Sequence, residues 1–296
     1  MRSLIISAAV TTAVSLSTAS FAQNPPKGGT AEQVAAITQA AVANPADPAV
    51  VDAFLATLVE VPTGSGFYLV EGDILISRGE IVSYLENRQP RGPNEPPTEA
   101  PVSKELIVNV IDGQYDYLKT ENDRSLKYVI DRGSFRSSQE ADATLAKFQM
   151  GAQAWVEACK ECGVSFSLVE NSSDASFVVA YVHDVDGPIA RAFFPSYPKD
   201  LWRLEVFPDY FSNTLSFDPV GVMRHEIGHI LGFRHEHIGN IPGCFAEGGT
   251  YQPITPYTPN SVMHYMCGEG GSFDLALRDT DVEGFRCLYT TGKPCP

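Results

Sequence analysis

Three histidines and a glutamate between His225 and Glu236 have the types and the spacing that a catalytic metal site requires. His225 and His229 are four residues apart, so on a helix both imidazoles lie on one face, one turn apart. Two imidazoles at this spacing can take two corners of one zinc tetrahedron. Glu226 follows the first histidine and is therefore placed to lie beside the metal as a general base.

The turn after this helix is predicted to bring in a third ligand. Gly232 comes three residues after His229, where the helix has to end, and glycine adopts a left-handed backbone at little cost. The chain can then swing round and present His235. Three protein ligands leave the fourth zinc position open for water, which is typical of a catalytic site. The alternative is a polar helix with scattered surface histidines, but three of the six histidines fall in this one segment.

The pattern from His225 to His235 is the extended zinc signature of the metzincin metallopeptidases. A second stretch, Ser261–Tyr265, resembles the methionine turn of that clan. Its Ser-x-Met-His-Tyr form, together with a glutamate directly after the third histidine (Glu236), most resembles the astacin family. Met263 lies only 28 residues after His235, so the chain resembles a compact, bacterial-type relative.

The resemblance implies an α+β fold. It would be a metzincin-like catalytic domain with a twisted mixed β-sheet, two long helices (a backing helix and an active-site helix) and a small C-terminal subdomain, preceded by a small prodomain. It also implies that Tyr265 is a fifth, displaceable zinc ligand that stabilises the oxyanion, and that Met263 forms an apolar floor under the histidines. The expected cofactor is one Zn²⁺ ion and the expected substrate a polypeptide, with Glu226 as general base.

The segment Glu71-Gly72-Asp73 has two interpretations. Glycine and aspartate suit a hairpin turn between two short strands. The segment also resembles the Gly-Asp motif of astacin propeptides, which implies that Asp73 reaches the metal site and keeps the enzyme latent, since a carboxylate can block the open coordination position. The astacin motif would have an aromatic residue where this chain has Val70.

Composition and the first residues indicate an exported protein. Residues 1–22 are typical of a signal peptide, with Arg2, an apolar run and a small-x-small cleavage site at Ser20–Ala22. That run is too short for a transmembrane anchor. The net charge of −15 argues against nucleic acid or an anionic membrane as a partner. We therefore expect a secreted or periplasmic monomer without a membrane anchor.

Six cysteines in an exported chain favour disulfides, although they allow 15 connectivities. Cys159 and Cys162 could instead form a redox motif or half of a zinc knuckle, but a local bridge after a helix is the favoured interpretation. The predicted pairs are Cys159–Cys162, Cys244–Cys267 and Cys287–Cys295.

The chain is predicted to divide at a proline-rich linker, residues 87–101. A propeptide or N-terminal region would span residues 23–101, and the catalytic domain residues 102–296. A capping pattern at Ser137 predicts a backing helix with a core Trp155, and Asp218-Pro219 should begin the active-site helix. Predicted strands are residues 67–70, 74–76, 106–111, 127–130, 164–169, 176–181, 189–194 and 201–207, of which 189–194 is an edge strand.

The remaining polar residues are given weaker roles. His237, His264 and His183 are expected not to be ligands. Asp184 and Asp186 could suggest Ca²⁺, but two carboxylates without a loop signature are weak evidence. Glu236 could pair with a cation, pair with a freed amino terminus, or lie on the surface. Two other functions stay open: a zinc hydrolase acting on a non-peptide amide or ester, and a secreted zinc-binding module without turnover.

Overall fold

The computed structural model describes residues 30–86, 88, 104–185, 187–239, 241, 244 and 247–296. The predicted signal peptide and nearly all of the predicted linker lie outside these residues. The described part is a mixed α+β structure, as expected. Its α-helices are α1 Ala31–Ala43, α2 Pro48–Leu55, α3 Ile81–Glu86, α4 Glu121–Arg124, α5 Ser138–Ala158, α6 Pro219–Ile230 and α7 Asp279–Thr291.

Twelve short strands form three sheets in the described residues. They are β1 Val59–Glu60, β2 Phe67–Leu69, β3 Leu75–Ser77, β4 Lys104–Ile111, β5 Gln114–Tyr115, β6 Ser125–Ile130, β7 Ser165–Leu168, β8 Phe177–Tyr181, β9 Ala190–Arg191, β10 Arg203–Val206, β11 Phe233–Arg234 and β12 Tyr251–Pro256.

The largest sheet is five-stranded and mixed, with the order β7-β6-β8-β10-β9. Its strands pair in parallel except β9, which is antiparallel to β10 at the edge. The edge position agrees with the prediction, but the predicted six-residue strand contains only two paired residues. Residues 192–194 leave the strand because Phe193 stacks on Trp202 at 4.6 Å and Phe194 packs on the ring of His229 at 5.3 Å.

The predicted strand at residues 106–111 belongs to a different sheet, which corrects the expectation of one sheet. β4 lies between β11 and β12 and also pairs with β5. β12 was not predicted, because Pro253 and Pro256 argue against a strand. The two prolines are tolerated because β12 forms the edge of this sheet and pairs on one side with β4. β11 ends at Arg234, directly before the third histidine, His235.

Two helices pack on each other behind the site. Ser137 caps α5 by accepting a hydrogen bond from the backbone of Glu140, and Asp218 caps α6. Trp155 on α5 is fully buried, donates to the carbonyl of Arg224 on α6 at 2.8 Å and stacks on Phe233 at 5.8 Å. The prediction that Trp155 belongs to the core is confirmed. This packing fixes the position of α6 relative to α5.

Residues 30–86 pack against the remainder of the chain and share its apolar core. They contain α1 to α3 and the antiparallel sheet β1-β2-β3. The hydroxyl of Tyr197 bonds to both backbone polar atoms of Leu75, and Phe67 packs on the Tyr197 ring at 5.6 Å. The turn between β2 and β3 is thereby held against the second part of the chain.

The three predicted disulfides are confirmed, with pairs Cys159–Cys162, Cys244–Cys267 and Cys287–Cys295. The interpretation of Cys159 and Cys162 as half of a zinc knuckle is therefore wrong. No helix among the described residues has the length and apolar character needed to cross a bilayer.

Candidate metal centre

Helix α6 positions the first two histidines and the glutamate. The carboxylate of Asp218 accepts hydrogen bonds from the backbone of Val220 at 3.1 Å and Gly221 at 3.2 Å, which satisfies amides of the first turn. Proline at the first helical position needs no such partner. One turn apart, the rings of His225 and His229 lie 4.9 Å from each other. The spacing in the sequence thus becomes a shared face, as predicted.

Gly232 makes the turn that delivers the third histidine. Its φ angle is +98°, and a Cβ atom there would lie 2.0 Å from the carbonyl oxygen of Asp116. Both the conformation and the close approach require glycine. The next two residues pair with β4, and His235 follows with its Nε2 atom 3.2 Å from Nε2 of His225.

The three imidazoles are oriented by hydrogen bonds at their Nδ1 atoms. Nδ1 of His225 lies 2.8 Å from the carbonyl oxygen of Val262, and Nδ1 of His229 lies 2.8 Å from that of Phe233. Nδ1 of His235 lies 2.7 Å from a carboxylate oxygen of Glu247. A ring that donates from Nδ1 presents a lone pair at Nε2, which is the form that binds metals. All three rings are buried.

Asp73 lies at the point where these rings meet. It sits in the turn between β2 and β3, next to Gly72 with φ +76°, so the hairpin interpretation holds. Its carboxylate oxygens lie 3.6 Å from Nε2 of His225, 3.7 Å from that of His229 and 3.3 Å from that of His235. Burial would raise the pKa of Asp73, but the histidines outweigh it and hold the pKa well below its usual range.

These four side chains fit a zinc ion. Each offers one ligand atom, and the four atoms lie within 4.8 Å of one another. Nε2 of His229 and Oδ1 of Asp73 are buried without a hydrogen-bond partner, as expected for atoms that face a cation. Imidazole nitrogen and carboxylate oxygen are donors that zinc accepts.

Glu226 is buried beside the histidines and is 2% exposed. Burial and the nearby charge of Asp73 raise its pKa well above the usual value of a glutamate. The side chain is thus buried on the helix that carries His225 and His229.

The predicted methionine turn lies under the site. Met263 is fully buried, and its sulfur would be 2.3 Å from a Cβ placed on Gly228, so it packs closely against α6. The Tyr265 ring lies 4.1 Å from that of His235, and its hydroxyl donates to the carbonyl of Glu71 at 3.3 Å. The structure therefore places the Tyr265 ring beside that of His235, and its predicted role as a fifth zinc ligand stays a prediction.

The other predicted polar residues are placed as follows. His183 is exposed, with its ring 3.1 Å from the Tyr181 hydroxyl, and Asp186 lies outside the described residues. His264 bonds to its own turn and to Tyr257. Glu236 is 2% exposed and accepts the Leu106 amide at 2.9 Å, so the surface alternative for Glu236 was wrong.

Three polar residues near the site were not found from the sequence. Glu71 accepts from Arg234 at 2.8 Å and from the Gly248 amide at 2.8 Å, while Glu247 binds His235. Burial and the adjacent Glu247 raise the pKa of Glu71 to about 8, with Arg234 acting in the opposite direction. No periodic pattern marks these residues, since they meet only through the folding of distant segments.

A fourth unpredicted residue, Asp281, supports the methionine turn from α7. Its carboxylate accepts from the Ser261 hydroxyl at 2.6 Å and from the Val262 amide at 3.1 Å. Val262 is the residue whose carbonyl orients His225, so α7 contributes to the placement of the first histidine.

Comparisons with known proteins find solved structures that are similar at low sequence identity. No family model and no curated protein matches the chain. One solved structure of myroilysin matches with a TM-score of 0.44 and 18% identity, over 62% of this chain and 98% of that one. A second, a crystal structure of myroilysin, gives a TM-score of 0.38 and 14% identity, over 62% and 89%.

Proposed function

We propose that the protein is a zinc-dependent endopeptidase of the metzincin type, close to the astacin family. The observation that carries this proposal is the convergence of three buried imidazoles, each oriented at Nδ1, beside a buried glutamate. His225, His229 and His235 would hold the ion. Zinc bound there would supply Lewis acidity, which lowers the pKa of a water ligand to about 7 and polarises the substrate carbonyl.

The chain's own groups would move the protons. Glu226 takes a proton from the attacking water and returns it to the leaving amine, a role that its burial on the helix of His225 and His229 supports. The Tyr265 hydroxyl, beside the ring of His235, would donate to the developing oxyanion. Met263 would hold the histidines from below, in agreement with its close packing on α6.

We further propose that residues 23–101 keep the enzyme latent through Asp73. In the full chain its carboxylate occupies the point where the three Nε2 atoms meet, so a substrate carbonyl could not approach. Glu71 strengthens this docking through Arg234 and Gly248. Cleavage in the linker at residues 87–101 would release the segment and open the site.

Export through residues 1–22 belongs to the same proposal. Three disulfides form easily in the periplasm or outside the cell and rarely in the cytosol. The mature enzyme would act there as a monomer on polypeptide substrates.

The proposal is tested by incubating the purified chain, after removal of residues 23–101, with unfolded casein and with a small ester. We expect casein cleavage that stops with a chelator and returns with zinc. Ester hydrolysis without casein cleavage would support a non-peptide hydrolase instead. Zinc binding without either reaction would leave a zinc-binding module, and in both cases the peptidase assignment would be wrong.

A further inference from the structure

One buried carboxylate beside the third histidine has no role in the catalytic steps proposed so far. Glu247 lies twelve residues after His235 and is 2% exposed. A charged group is expensive to bury unless specific partners surround it. The partners of Glu247 therefore indicate what its burial achieves.

One oxygen of Glu247 contacts two histidines. Oε1 lies 2.7 Å from Nδ1 of His235 and 2.6 Å from Nε2 of His237. The two imidazoles stack on each other with centroids 5.1 Å apart and planes only 10° from parallel. This arrangement fixes the rotation of the His235 ring, and a proton on Nδ1 that is shared with Glu247 leaves Nε2 available to bind a metal ion.

These contacts are hydrogen bonds rather than a second metal site. Two ligand atoms that are each bound at about 2.0–2.1 Å to one tetrahedral zinc ion lie roughly 3.4 Å from each other. The separations at Glu247 are much shorter than that and match charge-assisted hydrogen bonds. The burial of His237, which was expected not to be a metal ligand, is thereby explained by its hydrogen bond to Glu247.

The third histidine differs from the other two in the group that its Nδ1 atom contacts. His225 and His229 bond at Nδ1 to backbone carbonyls, which every residue type provides. His235 bonds to a carboxylate, whose negative charge raises the basicity of the ring and its strength as a ligand. His235 is also the ligand that lies outside α6, so its orientation is not fixed by that helix.

Glu247 is itself held by its neighbours. Gly248 packs so closely that a Cβ atom would lie 2.3 Å from the carbonyl oxygen of Tyr84. The second carboxylate oxygen of Glu247 lies 3.8 Å from the guanidinium of Arg234. These contacts keep the carboxylate at the ring of His235.

We infer that Glu247 is a positioning residue that orients His235 and strengthens its bond to the metal. The inference rests on the proposed function, in which His235 is a zinc ligand. Glu247 contacts the Nδ1 side of the ring, opposite Nε2, so its effect on the metal would pass through the imidazole. Loss of such a partner typically weakens metal binding by 10–100-fold.

The experiment compares Glu247→Ala and Glu247→Gln with the wild-type full chain. Zinc affinity is measured by competition with a chelator, and the cobalt-substituted proteins give visible spectra that report ligand geometry. We expect about 100-fold weaker zinc binding and an altered spectrum for Glu247→Ala, and about tenfold weaker binding for Glu247→Gln, which keeps an acceptor oxygen. The matched control, Glu161→Gln, changes an exposed glutamate that pairs with Arg286 and should bind zinc normally.

A structural role alone would lower the melting temperature of the metal-free chain while leaving zinc affinity and the cobalt spectrum unchanged. Zinc binding within about twofold of wild type in both variants overturns the inference. If Glu247→Ala does not fold, the result for Glu247→Gln decides. Failure of the proposed function has a different signature, because the wild-type chain freed of residues 23–101 would then bind zinc through His235 without cleaving casein.

Discussion

At the scale of single residues, Glu226 is the group on which turnover depends. We expect Glu226→Gln to keep the metal and to lose at least about 10²-fold in the rate of peptide hydrolysis, because an amide cannot accept the proton of the attacking water. Peptidase assays and metal analysis of the same preparation check this. Glu161→Gln serves as the control, and an unchanged rate for Glu226→Gln would remove the mechanism.

Asp73 should control the activity of the uncleaved chain. Asp73→Asn replaces a charged carboxylate by a neutral amide. The interaction between residue 73 and the three histidines is then weaker. We expect at least about tenfold higher activity before cleavage, which corresponds to about 1.4 kcal/mol. Mass spectrometry confirms that the linker is intact during the assay.

The control for this change is Asp52→Asn, which alters an exposed aspartate of the same N-terminal region that pairs with Arg78. It should leave the activity of the uncleaved chain unchanged. Equal activities of wild type and Asp73→Asn would show that Asp73 does not enforce latency.

The histidines and Glu226 were predictable because the spacing of one helix and one turn places them. Asp73 was identifiable only through a short motif, and the sequence left its two interpretations equal. The structure places it both in a hairpin turn and at the histidines, so the two interpretations are compatible. Glu71, Arg234 and Glu247 were not predictable, because their contacts join residues that are far apart in the sequence.

At the scale of elements, the turn between α6 and β11 determines where the third histidine lies. Gly232→Ala would place a methyl group against the carbonyl of Asp116. We expect a loss of zinc from the purified protein and a lower free energy of unfolding. Metal analysis and denaturant titration measure the two effects.

Gly113→Ala is the matched control, since Gly113 also has a positive φ angle, +72°, but nothing lies within 4 Å of its Cβ position. The steric clash at Gly232 should cost about 1–3 kcal/mol more than the backbone strain at Gly113. Equal destabilisation, with zinc retained in both variants, would contradict the role given to this turn.

Most elements with local signals were predicted, with α7 as an exception, and β12, whose signals conflict, was missed. Ser137 and Asp218 mark the starts of α5 and α6, and apolar spacing marks the buried faces. Helix α7 was missed although Val282, Phe285 and Leu288 have helical spacing and Gly292 ends it with a left-handed φ. β12 could not be predicted from the sequence. Its pairing with β4 is a long-range contact, and this contact stabilises the strand despite its prolines.

At the scale of the whole molecule, the disulfides tie the irregular part of the chain to the site. Cys267 lies two residues after Tyr265, and its partner Cys244 lies in the segment that leads to Glu247. Changing both cysteines to alanine should lower the free energy of unfolding by about 3 kcal/mol and also reduce peptidase activity. Denaturant unfolding and the casein assay test both effects.

The bridge Cys287–Cys295 provides the comparison, because it closes a loop at the end of α7. Its removal should also lower stability, by about 2–3 kcal/mol, but leave the activity of the folded enzyme unchanged. Full activity without the Cys244–Cys267 bridge, together with reduced activity without the Cys287–Cys295 bridge, would contradict a role of the Cys244–Cys267 bridge at the site.

The most direct test is anomalous X-ray diffraction at the zinc edge from crystals of the purified chain. We predict one strong peak about 2.0–2.1 Å from each Nε2 atom of His225, His229 and His235. The absence of a peak among these rings, or a zinc ion bound elsewhere, would contradict the assignment of this cluster as the catalytic metal centre.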